Sequence, residues 1–350
     1  MKKRLGDIAT YVNGYAFKPS DRGLEGLPII RIQDITGNSY DLGYYNGTYP
    51  SKIEINDGDV LISWSASLGI YVWDRGKALL NQHIFKVLFD KIETNKWYFV
   101  FSVKYKLQEM ELKTHGATMK HIVKKDFDNI LIPFPTLEKQ NNIASILLKI
   151  KKIIIVRQQQ LDDLDKLVKA RFVEMFGDPI TNEMGWEKVQ LSTCIESIDN
   201  GKSLVCDASA RQGNWPAVLK LSAATYGFYR PEENKAMLDE NQFVEDAAVR
   251  AGDLLFTRKN TPELVGMCAY VYDTPSRLMM PDLIFRLNTT NKCNKMFLWK
   301  LINHDLFRDC IQAIATGSAK SMSNISKERL LSLEIILPPA ELQEQFAAFV

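Results

Sequence analysis

The chain has 350 residues and a formal net charge of +2, with 46% hydrophobic and 25% charged residues. That is the composition of ordinary globular protein, and it excludes a disordered, collagenous or low-complexity chain. No apolar run is long enough for a transmembrane helix, and the basic start Met1-Lys2-Lys3-Arg4 has no apolar segment behind it, so neither a membrane nor a signal peptide is expected and the cytoplasm is the expected compartment.

Residues 27–32, 60–64 and 84–89 are short, β-favouring and separated by Gly- and Asn-rich punctuation, so they read as strands. A helix is expected over 96–113. From 137 to 176 the sequence holds neither Gly nor Pro, and Leu147, Ile150, Ile154, Leu161, Leu164, Val168 and Met175 recur at a spacing near 3.5, interrupted by Arg157 and Arg171. This is a coiled-coil-type helix about 60 Å long, ended by Gly177-Asp178-Pro179. Such a stripe needs a partner helix; the plainer alternative is a linker helix packed on its own domains. Beyond it, residues 217–221 read as a strand and 295–314 as a helix. Ala340-Glu341-Leu342-Gln343-Glu344-Gln345-Phe346 resembles the start of the long helix, but the sequence stops at Val350, so a second long helix is expected only in truncated form.

Charge is uneven along the chain. Lys and Arg number 18 against 15 Asp and Glu over 1–136, 8 against 5 over 137–177, and 18 against 22 over 178–350. Any nucleic-acid contact in the last stretch must come from a local patch. The five cysteines, Cys194, Cys206, Cys268, Cys293 and Cys310, form no C-x-x-C pair and read as reduced thiols.

The chain repeats itself. Asp57-Gly58-Asp59-Val60-Leu61-Ile62-Ser63 is answered by Ala251-Gly252-Asp253-Leu254-Leu255-Phe256-Thr257, and Arg4-Leu5-Gly6-Asp7 by Gln190-Leu191-Ser192-Thr193. Gly116-Ala117-Thr118 with Ile122 is answered by Gly317-Ser318-Ala319 with Ile325, and Ile130-Leu131-Ile132-Pro133 by Ile335-Ile336-Leu337-Pro338. Gln140 follows Pro133 by seven residues, and Gln345 follows Pro338 by seven. Four matches in order predict an α+β chain: two similar mixed domains, 1–136 and 178–339, joined by a long helix over 137–177, with the start of a second helix at 340–350.

This arrangement resembles the DNA-sequence specificity subunit of type I restriction-modification systems, over essentially the whole chain. The features that carry the resemblance are Pro133-Phe134-Pro135…Gln140 before the long helix, its echo at Pro338…Gln345, the stretch Gly116-Ala117-Thr118-Met119-Lys120…Ile122, and the helix exit Arg171-Phe172-Val173-Glu174-Met175-Phe176-Gly177-Asp178. The resemblance implies that each repeat is a target-recognition domain reading one half of a split double-stranded DNA site. It implies two helices packed as a spacer that docks two modification (methyltransferase) subunits, with restriction subunits in the full complex. It implies no catalysis and no cofactor in this chain; S-adenosylmethionine, ATP and Mg belong to the partners. The truncated second helix departs from the family pattern. It leaves open an interaction scaffold that binds the modification subunit without directing methylation, or a fragment of a fused restriction-methylation enzyme.

Elementary physics suits a split site, because successive major-groove faces lie about 34 Å apart and a 40-residue helix can bridge them. Base edges are read by Arg, Lys, Asn and Gln, and phosphates by Lys and Arg. In the first repeat the candidates are Arg31 and Gln33 after a strand; Ser63, Trp64 and Ser65; Asn81, Gln82 and His83; and His115, Thr118, Lys120 and His121. In the second they are Lys220; Thr257, Arg258, Lys259 and Asn260; and Lys320, Ser321 and Asn324. Leu147, Ile150, Ile154, Leu161, Leu164 and Val168 are the candidate partner-docking residues. Each polar cluster is also what a solvated turn looks like.

Enzyme motifs are missing. There is no P-loop, no Asn/Asp-Pro-Pro-aromatic methyltransferase motif and no nucleophile elbow. Glu111-Leu112-Lys113 and Glu233-Asn234-Lys235 lack the upstream Pro-Asp of a nuclease, and His83, His115, His121 and His304 have no metal-ligand spacing.

Overall fold

A computed structural model describes residues 1–37, 41–65, 67–113, 124–317 and 322–350, and divides the chain into two units, Met1–Gln158 and Gln159–Val350. In the first unit the strands are β1 (Lys2–Arg4), β2 (Thr10–Asn13), β3 (Leu27–Ile30), β4 (Tyr44–Tyr45), β5 (Glu54–Ile55), β6 (Val60–Ser63), β7 (Gly69–Val72), β8 (Ala78–Leu80), β9 (Ile84–Leu88) and β10 (Leu131–Pro133). In the second they are β11 (Glu187–Gln190), β12 (Ile195–Asn200), β13 (Ala217–Leu219), β14 (Asn234–Ala236), β15 (Leu254–Thr257), β16 (Lys259–Asn260), β17 (Cys268–Tyr270), β18 (Leu278–Met279), β19 (Ile284–Thr289), β20 (Ser323–Asn324) and β21 (Glu334–Leu337).

The two units share one topology. An antiparallel sheet runs β2-β9-β6-β7 in the first and β12-β19-β15-β17 in the second. A smaller sheet runs β4-β3-β8-β5 and β14-β13-β18, with β3 parallel to β8 and β13 parallel to β18. The pairs β1-β10 and β11-β21 close the respective units.

The central strands are apolar on both faces because each face meets a different layer. Val60 and Ile62 enter one core, with Phe99 and Val103 of the helix Lys96–Lys113, while Leu61 enters a second core with Ile30 and Leu80 of the small sheet. Leu254 and Phe256 face Phe297 and Leu301, and Leu255 faces Leu219 and Leu278, in the same manner. One charged pair is also duplicated. Lys86 Nζ meets Asp59 Oδ2 at 2.8 Å, and Arg286 Nε meets Asp253 Oδ2 at 3.1 Å.

The long helix runs unbroken over Leu137–Phe176, as expected of a stretch without Gly or Pro. Ala144 is buried in the first unit; Phe172 and Phe176 are buried in the second, packed mostly edge-to-face among Phe297 and Phe346 at ring distances of 5.0–5.7 Å. Val168 is partly buried against that core and Leu147 is half-buried, whereas Ile150 (47%), Ile154 (63%), Leu161 (57%) and Leu164 (56%) are exposed.

Two expectations shift. The helix expected over 295–314 is split into Lys295–Ile302 and Arg308–Ala313. The Asn303 side chain leaves the helix path to accept from Cys268 N and donate to Cys268 O, and the His304 ring accepts from Leu306 N–H. The counterpart of Gln140 is Gln343, not Gln345. Gln140 Oε1 accepts from Asn95 N and its Nε2 donates to Pro135 O; Gln343 Oε1 accepts from Asn294 N and its Nε2 donates to Pro338 O. Pro135 is therefore the residue that answers Pro338.

Candidate nucleic-acid interface

The pairing pattern gathers several loops at one end of each unit. Because β3 runs parallel to β8 and β9 returns antiparallel beside both β6 and β2, the ends of β2, β3, β6 and β8 and the start of β9 lie together. Asn81 N donates to Ile30 O at 3.0 Å, Gln82 N to Tyr15 O at 3.0 Å, and Trp64 N to His83 O at 3.4 Å. The loop after β2 passes so close that a Cβ on Gly14 would stand 2.1 Å from Asn81 O. Only glycine fits there.

The polar and aromatic side chains of the first unit meet on this frame. The Trp64 ring stacks on Phe85 (5.7 Å, 23°), lies 5.6 Å from His83, and donates from Nε1 to Asn13 Oδ1 at 3.3 Å. Gln82 Nε2 lies 3.1 Å from His83 Nε2. Arg31, Asn81, Gln82 and His83 are half-buried and Gln33 is exposed. Arg31 Nε is fixed by the buried Asp34 at 3.1 Å, and its Nη2 also donates to Asp41 O.

The second unit repeats the frame with different side chains. A Cβ on Gly201 would stand 2.1 Å from Pro281 O, and Arg258 N donates to Leu283 O at 3.0 Å as Trp64 N does to His83 O. The Arg258 guanidinium lies over Phe285 at 5.1 Å, with Nη2 3.3 Å from Asn324 Oδ1 and Nη1 3.5 Å from Asp282 O. Lys259 pairs with Asn324 through β16-β20. Lys202, Lys220 and Lys235 surround a hollow of about 370 Å³ beside Asp282. This is a basic patch inside a net-acidic stretch, although Lys220 is partly neutralised by Glu233 at 3.7 Å. A hydrogen bond from Ser222, with Lys220 nearby, holds the Glu233 carboxyl below its ordinary range.

Four candidates are withdrawn from this surface. Ser63, Ser65, Thr257 and Asn260 are buried. Ser63 and Thr257 spend their hydroxyls on backbone carbonyls, and Asn260 Nδ2 donates to Thr225 Oγ1 at 3.1 Å. Ser63 and Thr257 each end a strand, β6 or β15, so their short polar side chains close the backbone of the segment that follows. His115, Thr118, Lys120, His121, Lys320 and Ser321 lie outside the described residues. Asn13, Tyr15 and Lys202 also lie on this frame, though none is among the candidates the sequence suggests. The Asn-Gly dipeptide that marks their loop occurs as Asn13-Gly14 and again as Asn200-Gly201.

Among the described residues no group of three or more His, Cys, Asp or Glu is placed to hold a metal ion, and no helix is long and apolar enough to cross a membrane.

Residues 1–166 match the family model of the type I restriction modification DNA specificity domain. The chain is 26% identical over 204 residues to the type I restriction enzyme EcoBI specificity subunit of Escherichia coli, covering 57% of this chain and 43% of that protein. It is 32% identical over 168 residues to the EcoEI specificity subunit of the same species, covering 47% and 28%. The match to the MjaVIII specificity subunit of Methanocaldococcus jannaschii is 24% identical and covers 98% of this chain and 83% of that protein. The two E. coli relatives are thus matched over less than half their length. The fold is that of the type I restriction-modification S subunit of M. genitalium, with a TM-score of 0.59 at 12% identity over 100% of this chain and 87% of the other.

Proposed function

We propose that this chain belongs to the DNA-specificity family of type I restriction-modification systems, that it reads a bipartite DNA sequence, and that it directs partner methyltransferase and restriction subunits to it. The observation that carries the reading is the duplicated interface. One backbone frame is built twice, and it presents Arg31, Gln33, Trp64, Asn81, Gln82 and His83 in one unit and Lys202, Lys220, Arg258, Lys259 and Asn324 in the other. Two like frames with unlike side chains suit two unlike half-sites. Lys202, Lys220 and Lys259 supply phosphate contacts, and the Asn, Gln and Arg side chains supply base-edge readout.

The chain carries out no reaction of its own on this reading. The exposed stripe Ile150, Ile154, Leu161 and Leu164 docks the modification subunits, two per complex, since apolar side chains this exposed gain by burial against a partner. Its working compartment is the cytoplasm, where the DNA and the partner subunits are. The test is single-molecule mapping of methylated adenine in a host that expresses the partner subunits, with and without this gene. Methylation at one split motif that depends on the gene is the expected result. An unchanged methylation map, with the chain folded and bound to the modification subunit, leaves the scaffold reading instead.

A further inference from the structure

We propose that Arg258 reads a guanine in the half-site of the second unit, and that Trp64, its structural counterpart, gives the first unit no such readout at the equivalent base pair. The inference rests on the DNA-reading function proposed above and goes further by assigning a base to a side chain.

The duplication sets the equivalence. Trp64 follows β6 and Arg258 follows β15; each backbone N–H donates to the carbonyl at the same place in the turn before the next strand, His83 O or Leu283 O. Each side chain then lies over the phenylalanine at the second position of that strand, Phe85 or Phe285. The two units thus present one residue each from the same socket, and the sequence fills the sockets with different chemistry.

Arg258 is held as a base-reading arginine must be. Its guanidinium is confined by the Phe285 ring and by acceptors on both terminal nitrogens, Asp282 O and Asn324 Oδ1. Asn324 is itself fixed, because its backbone exchanges hydrogen bonds with Thr316 at 2.8 Å in both directions, and Ile325 N donates to Arg258 O at 2.8 Å. At 3.5 and 3.3 Å the two contacts from the fork are long, so they orient it without using it up. Each terminal nitrogen carries a second N–H, which gives the two-donor edge that matches guanine O6 and N7. Trp64 has one ring N–H, directed at Asn13 Oδ1, and no second donor. Asn324 is a positioning residue in this scheme.

The test uses the full chain reconstituted with its modification subunits. Binding and methylation are measured on a panel of duplexes in which each base pair of the wild-type motif is replaced in turn. The variants are Arg258→Lys, Arg258→Ala and Asn324→Ala, each checked for folding by thermal melting. The expected result is that wild type discriminates against replacement of one G·C pair in one half-site by tenfold or more, and that both Arg258 variants lose that discrimination while keeping it elsewhere. Asn324→Ala loses part of it at the same pair. A panel profile unchanged in shape overturns the inference and leaves the proposed function standing. Uniform weakening across the panel, with a shallower salt dependence, makes Arg258 a phosphate contact and also overturns it. If wild type prefers no motif at all, the DNA-reading function fails and the inference fails with it.

Discussion

Gln140 and Gln343 show how much of each unit hangs on one buried carboxamide. Gln343 is fully buried; its Oε1 accepts from Asn294 N at 2.8 Å, and its Nε2 donates to Pro338 O at 2.7 Å and Lys292 O at 3.1 Å. It ties the turn before the helix Lys295–Ile302 to the first turn of the helix Ala340–Phe349. Gln343→Leu keeps the bulk but strands an N–H and two carbonyls, at a cost of about 2–3 kcal/mol in urea unfolding. A loss under about 0.5 kcal/mol means that the clasp is dispensable. His304 gives a pH dependence of definite sign. Burial, aided by the charge of Lys169 and opposed by Asp305 and Asp178, holds its imidazole below the ordinary range, with the ring 5.1 Å from Phe172. The unfolded chain therefore takes up the proton first. The contribution of neutral His304 is complete above about pH 6.5 and is lost as pH falls toward the depressed folded value. Melting temperatures between pH 7.5 and 5.5 should fall more steeply for wild type than for His304→Gln, and parallel slopes would exclude His304 as the cause.

At the scale of elements, the long helix divides into parts with different physical duties. Phe172 and Phe176 are 0% exposed and belong to the second unit's core, so Phe172→Ala should cost about 3–5 kcal/mol. Ile150, Ile154 and Leu161 are roughly half exposed, so Asp at any of them should leave the melting temperature nearly unchanged. The same Asp substitutions should weaken capture of the modification subunit by at least about tenfold if that stripe is the docking surface. Calorimetric titration beside thermal melting separates the two effects, and undiminished capture by Ile150→Asp and Ile154→Asp together would place docking elsewhere. The heptad-like spacing made the stripe legible in the sequence. Which of its members are covered was not legible, because Val168 and Ile150 look alike until the fold of Gln159–Val350 brings its core against one of them.

For the whole molecule, the two units have separate hydrophobic cores, and each carries its own copy of the interface frame. If the proposed DNA-reading function holds, a change in one frame should therefore alter one half of the recognised motif. Gly14→Ala places a methyl 2.1 Å from Asn81 O, and Gly201→Ala does the same at Pro281 O; each forces its own loop to shift, at about 1–3 kcal/mol. Methylation maps of the two variants should differ from wild type in opposite halves of the motif. Loss of the same half in both would contradict the assignment of one half-site to each unit.

Local chemistry determined the strands, the turns and the helix from 137 to 176, because apolar periodicity, Gly-Asp turns and the lack of Gly or Pro act over a few residues. The repeat was legible for the same reason, since Asp57-Gly58-Asp59 and Ala251-Gly252-Asp253 each open the same strand. The polar loops were legible as candidates, but their sorting was not. Thr257 and Arg258 are neighbours in a run of polar residues, and only the alternation of a strand end between two packed layers sends Thr257 inward to Met267 O and Arg258 outward over Phe285. Asn13, Trp64 and His83 come together for a like reason. Pairing of β2, β6 and β9 joins residues as far apart as Thr10 and Leu88, and such pairing is decided by the burial of whole strands rather than by any motif at the loops themselves.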